Sequence, residues 1–341
     1  MKPARISTAE ARKGLVLARD VRAGGATALA KGKLLSEDDA LLLRGLPAGE
    51  LHVLELEPGD LHEDPAGRRL AAAAAGDGVE VQSPVGGAFP LQARKRGIVE
   101  VDAGRLAQVN EIDDLVVTTL PHGQIAIEGE VVARAKIIPF VSSEERLGRA
   151  EQVARPGLVS VRAFVPLRVV AVVEDRIEES ALARFGRDFG EKVRFFGSEL
   201  LSVDPVGGSP EALAAALGNA VARGAQLVML AGGRPMDPLD PALQALERAG
   251  GRLVKHGIPA QPGALLWLGS LGQVSVVGVP SCAIASKATA LDLLLPRLFT
   301  GDHPTRRDLA ELGAGGLLTR ESAFRLPPYR RPGARGELDG P

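Results

Sequence analysis

Cysteine is almost missing from this chain. Cys282 is the only one in 341 residues, so no disulfide can form within it. That usage suits a reducing compartment, and a cytoplasmic location is expected. Aromatic residues are scarce, at 3%, with one tryptophan and one tyrosine. Stacking platforms for single-stranded nucleic acid are therefore not expected. Neither sign of charge dominates, because 41 basic and 42 acidic residues leave a net charge of −1. Without a basic stripe, no nucleic-acid partner is expected. No apolar run approaches the roughly 18 residues of a membrane helix. Residues 1–13 are charged and lack an apolar centre, so neither a secretory signal nor a membrane partner is expected. His52, His62, His122, His256 and His303 are scattered without metal-ligand spacing. No G-x-G-x-x-G joins an early strand to a helix, which argues against a Rossmann dehydrogenase.

What is present is a globular composition, 45% hydrophobic, on a chain long enough for two domains. Residues 1–155 read as an α+β domain rich in short strands. Strands are expected at 14–21, 51–56, 79–83, 97–101, 115–120 and 131–140. Helices are expected from Ser36, with Glu37, Asp38 and Asp39 in the first turn, and over 64–75. A charged stretch at 142–156 ends in Pro156-Gly157 and marks a boundary. Residues 156–300 then alternate strand and helix. Unbroken apolar runs at 167–173, 226–230 and 274–279 predict strands, as do segments within 192–203 and at 252–256. Helices are predicted at 178–190, from the Ser209-Pro210 start to about 223, at 241–250 and over 281–299. This alternation implies an α/β fold, with a mostly parallel sheet covered on both faces. Residues 301–341 form a C-terminal extension, expected to be disordered from 327.

Three loops carry the candidate chemistry. In the first, the strand at 226–230 ends in Gly232-Gly233, and Arg234-Pro235-Met236-Asp237-Pro238-Leu239 leads to Asp240. Ligands of open α/β sheets bind at this carboxyl edge. Glycines let a ligand approach the backbone. Asp240 either caps the next helix or faces the ligand. Asp237 either joins Asp240 around a hydrated Mg²⁺ or is a solvated acid. Arg234 suits a phosphate, or is a surface arginine. The second loop is 257–263, ending in Pro262-Gly263. The third is Gly278-Val279-Pro280-Ser281-Cys282-Ala283, placing Ser281 and Cys282 at a helix N-terminus, where anions bind. Cys282 is read as a small buried side chain in preference to a nucleophile. Lys287 either reaches a phosphate or is solvated. Asp60, Glu63 and Asp64 are read as a soluble turn and helix start in preference to an acidic loop that reaches a site across a domain or subunit interface.

Residues 165–300 resemble the molybdopterin-binding domain of molybdopterin molybdotransferases and gephyrin-like proteins in molybdenum-cofactor biosynthesis. The family's G-G-[ST]-[ST]-x-G-x-x-D signature is matched in length and ends by Gly232 to Asp240. Its Pro-Gly segment is matched by Pro262-Gly263, and its G-L-P-G-N-P loop by Gly278 to Ala283. Gly14-Leu-Val-Leu-Ala-Arg-Asp20, Lys31-Gly-Lys-Leu-Leu35, Leu56-Glu-Pro-Gly-Asp60 and Lys136-Ile-Ile-Pro-Phe140 are similar to a bacterial branch of the family. The similarity extends to about residue 326. It implies a three-layer molybdopterin-binding-like domain whose loops hold molybdopterin or Mo-molybdopterin, with Mg²⁺ and a nucleotide as further ligands. Binding would fall to Gly232, Gly233, Arg234, Pro262, Gly263, Gly278, Pro280, Ser281 and Cys282. Asp240 and Asp237 would be the catalytic residues, with Asp240 on the metal. A homodimer, and a molybdoenzyme or nucleotidyltransferase partner, follow from the same resemblance.

The chain departs from the family at several points. Arg234 and Pro235 replace hydroxyl residues, and Asp237 replaces a glycine. Glu174-Asp175-Arg176-Ile177 stands where molybdotransferases carry Gly-Asp-Glu-Leu. Ser281-Cys282-Ala283 replaces G-N-P, and the C-terminal extension is short. The expected function is molybdopterin binding, with metal insertion or nucleotidyl transfer as the chemistry if any is retained. Two alternatives stand beside it: a non-catalytic molybdopterin carrier or sensor, and a competence-damage-type pyridine nucleotide hydrolase.

Overall fold

The computed structural model describes residues 1–174, 178–233, 236–237, 239–280, 289–319, 322 and 325–329. The chain divides into two units, Met1–Arg162 and Ala163–Pro341. In the first, Lys2–Ser7, Glu50–Glu55 and Leu15–Leu17 form an antiparallel sheet. Helix Glu37–Arg44 starts at Ser36, whose hydroxyl accepts the Asp39 N–H while the Asp39 carboxylate accepts the Ser36 N–H. This reciprocal cap fixes the helix start.

A second antiparallel sheet joins Leu115–Thr119, Val131–Ile137, Ala88–Ala93 and Val79–Val81. Helix Glu63–Ala74 packs on it, and helix Glu144–Ala154 packs on that helix. Arg69 joins the two helices by donating to both Glu144 and Glu151. The charged stretch at 142–156 is therefore largely helix, capped by Ser143. Leu147, Ala150 and Ala154 form its narrow buried stripe among charged neighbours, too thin to stand out as a pattern. Beyond it, Val159–Ala163 joins a sheet with Gly97–Val101 and Ile125–Ala126. The division thus falls after residue 162 rather than after 155.

Elements of the second unit are numbered within it. Its strands are β1 (Arg168–Val173), β2 (Glu199–Pro205), β3 (Leu227–Gly233), β4 (Arg252–His256), β5 (Trp267–Leu271) and β6 (Val274–Pro280). Its described helices are α1 (Glu179–Phe195), α2 (Pro210–Ala222), α3 (Pro241–Arg248), α4 (Ala290–Leu298) and α5 (Arg306–Glu311). The sheet order is β2-β1-β3-β6-β5-β4. Strands β2, β1, β3 and β6 are parallel, and β5 and β4 extend the sheet antiparallel. The sequence reading has no strand between 256 and 274, so β5 is new.

Alternate residues of the central strands, Val170, Val172, Val228, Leu230 and Val276, pack with Leu213 and Leu217 of α2 and Ala245 and Leu246 of α3. Their neighbours Val169, Ala171, Met229 and Val277 are buried too, so the opposite face is also covered. The architecture is mixed α/β with a sheet parallel at its centre.

Two expectations are corrected. The helix over 281–299 is not continuous. Thr289 is extended, at φ −147° and ψ 177°, and caps α4 in a capping box with Asp292. Residues 281–288 lie outside the described residues. The extension is also ordered further than composition suggests. Tyr329 hydrogen-bonds Asp292 at 2.8 Å and packs on Phe195. Residues 330–341 lie outside the described residues.

Candidate functional site at the carboxyl rim of the second sheet

Strands β1, β3 and β6 end together. Val173 lies opposite Ala231, Ala231 opposite Val279, and Gly233 opposite Pro280. Strand β4 runs the same way as β6, because each is antiparallel to β5. His256 faces Trp267, and Trp267 faces Gly278. The carboxyl ends of β1, β3, β4 and β6 therefore all lie at one rim of one sheet. This is the rim where open α/β sheets bind ligands.

Gly232 has φ +115°, a conformation that side chains rarely adopt. At Gly233 the reason for glycine is space. A Cβ there would sit 3.3 Å from Asp240 Oδ2 and 3.3 Å from Glu174 Oε2. Both carboxylates thus crowd the same bare stretch of backbone. Asp240 is 1% exposed, and its Oδ1 accepts the Ala242 N–H as the N-cap of α3. Of the two readings of Asp240, the helix cap is the one seen here, and both carboxylate oxygens lie beside the Gly233 position, at 3.3 and 3.4 Å from where a Cβ would stand.

Glu174 is the residue that sequence reasoning missed. It is 8% exposed, and its N–H donates to Ala231 O. Gly208, in the loop after β2, packs beside it. The signal available was positional: Glu174 is the first residue past an unbroken apolar strand. The carboxylate placed beside Asp240 is Glu174. Asp237 is exposed, and its Oδ1 accepts the Leu239 N–H, which closes a local turn. Met236 and Leu239 on the same loop are exposed as well.

Pro262 O accepts the Ala290 N–H at 2.8 Å, seating the second loop on the start of α4. Gly263, at φ +111°, has no room for a Cβ, which would lie 2.7 Å from Ala290 N. Gly278 lies within β6, and the place of its missing side chain is filled by the Trp267 indole. Its smallness thus serves packing. Pro280 is buried at the end of β6. Arg234, Ser281, Cys282, Lys287 and the segment 175–177 lie outside the described residues.

Two buried carboxylates beside glycine backbone suit a hard cation that carries a phosphate. Among the described residues, no group of three or more His, Cys, Asp and Glu could hold a metal alone. A separate groove of about 480 Å³ lies in the first unit. In it Asp20 accepts the Lys31 N–H and Glu50 lies 3.1 Å from His52 Nε2. No described helix is long and apolar enough to cross a membrane.

No family model matches the chain, and no curated protein matches it. Solved structures do. The molybdopterin biosynthesis MoeA protein from Pyrococcus horikosii is 15% identical, with a TM-score of 0.31, over 74% of this chain and 81% of that one. A Corynebacterium diphtheriae protein described as a molybdenum cofactor biosynthesis protein is 19% identical, with a TM-score of 0.26, over 39% of this chain and 95% of its own. Molybdenum cofactor biosynthesis protein B is 16% identical, with a TM-score of 0.30, over 40% and 96%.

Proposed function

We propose that the second unit binds molybdopterin, or its nucleotide or molybdate form, at this rim, as part of molybdenum-cofactor assembly. One observation carries the reading. The strands that precede the three family-like loops end at the same sheet edge, and bare glycine backbone there adjoins Glu174 and Asp240. Gly232 and Gly233 would receive the phosphate end. Glu174 and Asp240 would hold Mg²⁺ against it. Any transfer chemistry would then rest on positioning and electrostatics.

The test uses Asp240→Asn, because asparagine caps a helix about as well as aspartate and removes only the charge. Molybdopterin and its adenylylated form are titrated into both proteins with Mg²⁺. Wild type binds at micromolar concentration, and the variant binds about tenfold more weakly, as expected for one lost charge-assisted contact. No wild-type binding at high micromolar ligand, or equal binding by the two proteins, overturns the reading.

A carrier without turnover is favoured over a transferase by one feature. Asp237, the other catalytic candidate, is exposed and engaged in a turn. Assays with magnesium, molybdate and nucleotide decide between them, and a parallel assay of pyridine-nucleotide hydrolysis tests the hydrolase alternative.

A further inference from the structure

The buried carboxylate of Asp292 is a junction. It is 1% exposed and sits in the first turn of α4. Its Oδ2 accepts the Thr289 N–H at 2.9 Å. Its Oδ1 accepts the Lys192 ammonium at 2.6 Å and the Tyr329 hydroxyl at 2.8 Å. The ammonium also lies 5.1 Å from the centre of the Tyr329 ring, an attractive arrangement. A buried carboxylate is tolerated only when its oxygens are matched in this way.

The junction stands where the chain returns from the rim. Thr289 caps α4, Ala290 is tied to Pro262, and Gly263 is pressed against both residues. The C-terminal extension meets the same rim a second time. Gly316 O accepts the Gln261 N–H, and the Leu318 N–H donates to Gln261 O. Residues 316–318 thus pair with the second rim loop, and Tyr329 holds the start of α4.

We propose that the C-terminal extension is a brace for the rim, and that Tyr329 is its positioning residue, fixing the start of α4 through Asp292. In consequence, ligand at the rim and the state of the Tyr329 hydroxyl are coupled. The coupling rests on the proposed function; the brace does not. Tyr329 touches no ligand in this scheme. It sets where α4 begins.

The chain offers a direct probe, since Tyr329 is its only tyrosine. Burial, and then the neighbouring Asp292 charge, hold its phenol well above the ordinary value. Its ultraviolet ionisation signal therefore reports this one site. The experiment compares the full-length protein with Tyr329→Phe, which keeps the ring and removes the hydroxyl. Amide exchange is followed at Leu291 and Asp292, whose N–H groups donate to Thr289. Exchange there should accelerate about tenfold in the variant, the effect of one lost hydrogen bond to a charged group. Molybdopterin should bind the variant about tenfold more weakly, and should displace the tyrosine ionisation of wild type, because coupling is reciprocal.

Unchanged exchange in Tyr329→Phe overturns the brace. Faster exchange with wild-type binding, but with no change in either affinity or tyrosine ionisation, reduces Tyr329 to ordinary packing and also overturns the proposal. Faster exchange without any binding to wild type supports the brace and removes the proposed function instead.

Discussion

Glu63 shows how much a single residue's environment can depart from its sequence context. Asp64 beside it is well exposed, whereas Glu63 is 8% exposed. Its carboxyl is wedged where a Cβ at Gly32 or Gly87 would stand, 2.6 Å from Oε1 and 2.7 Å from Oε2. Oε2 has no hydrogen-bond partner. Burial is the main cause of a pKa above the usual carboxylate range; His62 and Lys136 pull it down, and Asp64 pushes it up. The sign of the stability effect follows. The folded protein keeps a proton that the unfolded chain releases above about pH 4.3. The contribution to stability is full below that value and is lost as pH rises through the folded pKa. Glu63→Gln removes the ionisation and keeps the shape. Thermal melts should show equal stability near pH 4 and a more stable variant at pH 8. Parallel curves at all pH values would mean that the carboxyl is not held in a costly environment.

At the scale of elements, the rim depends on how the second loop seats on α4. Gly263 is both strained for any side chain, at φ +111°, and packed against Ala290. Gly263→Ala must shift the loop or the helix start, and should cost about 2 kcal/mol, the usual scale of an overpacked site. The measurement is the urea midpoint of the full chain. A loss below a few tenths of a kcal/mol would mean that loop and helix are not firmly joined. Helix starts were legible where a cap precedes an apolar run. Ser36 and Ser209-Pro210 both cap where expected. Thr289-Ala290-Leu291-Asp292 carries the same kind of signal, but it lies inside a long apolar stretch that reads as one helix. Helix Glu144–Ala154 was hidden by its charges, and β5 by Gly269 in its middle and Gly272 just after it. Glu174 carries no motif of its own; its only mark in the sequence is its place just past an unbroken apolar strand.

For the whole molecule, the parallel sheet was legible because its central strands are unbroken Val/Leu runs, buried on both faces. The antiparallel edge was not, since direction depends on pairing partners that no local pattern encodes. The boundary was displaced because residues 144–162 return to the first unit through contacts distant in sequence. This division carries a prediction of its own. The core around Val170, Leu213, Val228 and Leu246 lies wholly after residue 163, as do all the rim segments and the brace. A fragment of 163–341 should therefore fold cooperatively and bind molybdopterin within about threefold of the full chain, a difference of well under 1 kcal/mol. Calorimetric titration of the fragment and the full protein, side by side, makes the comparison. A fragment that melts cooperatively yet has lost binding would show that the first unit, or a second copy of the chain, supplies part of the site. The rim alone would then be insufficient, and Asp240→Asn in the full chain would be expected to leave residual affinity from the added groups.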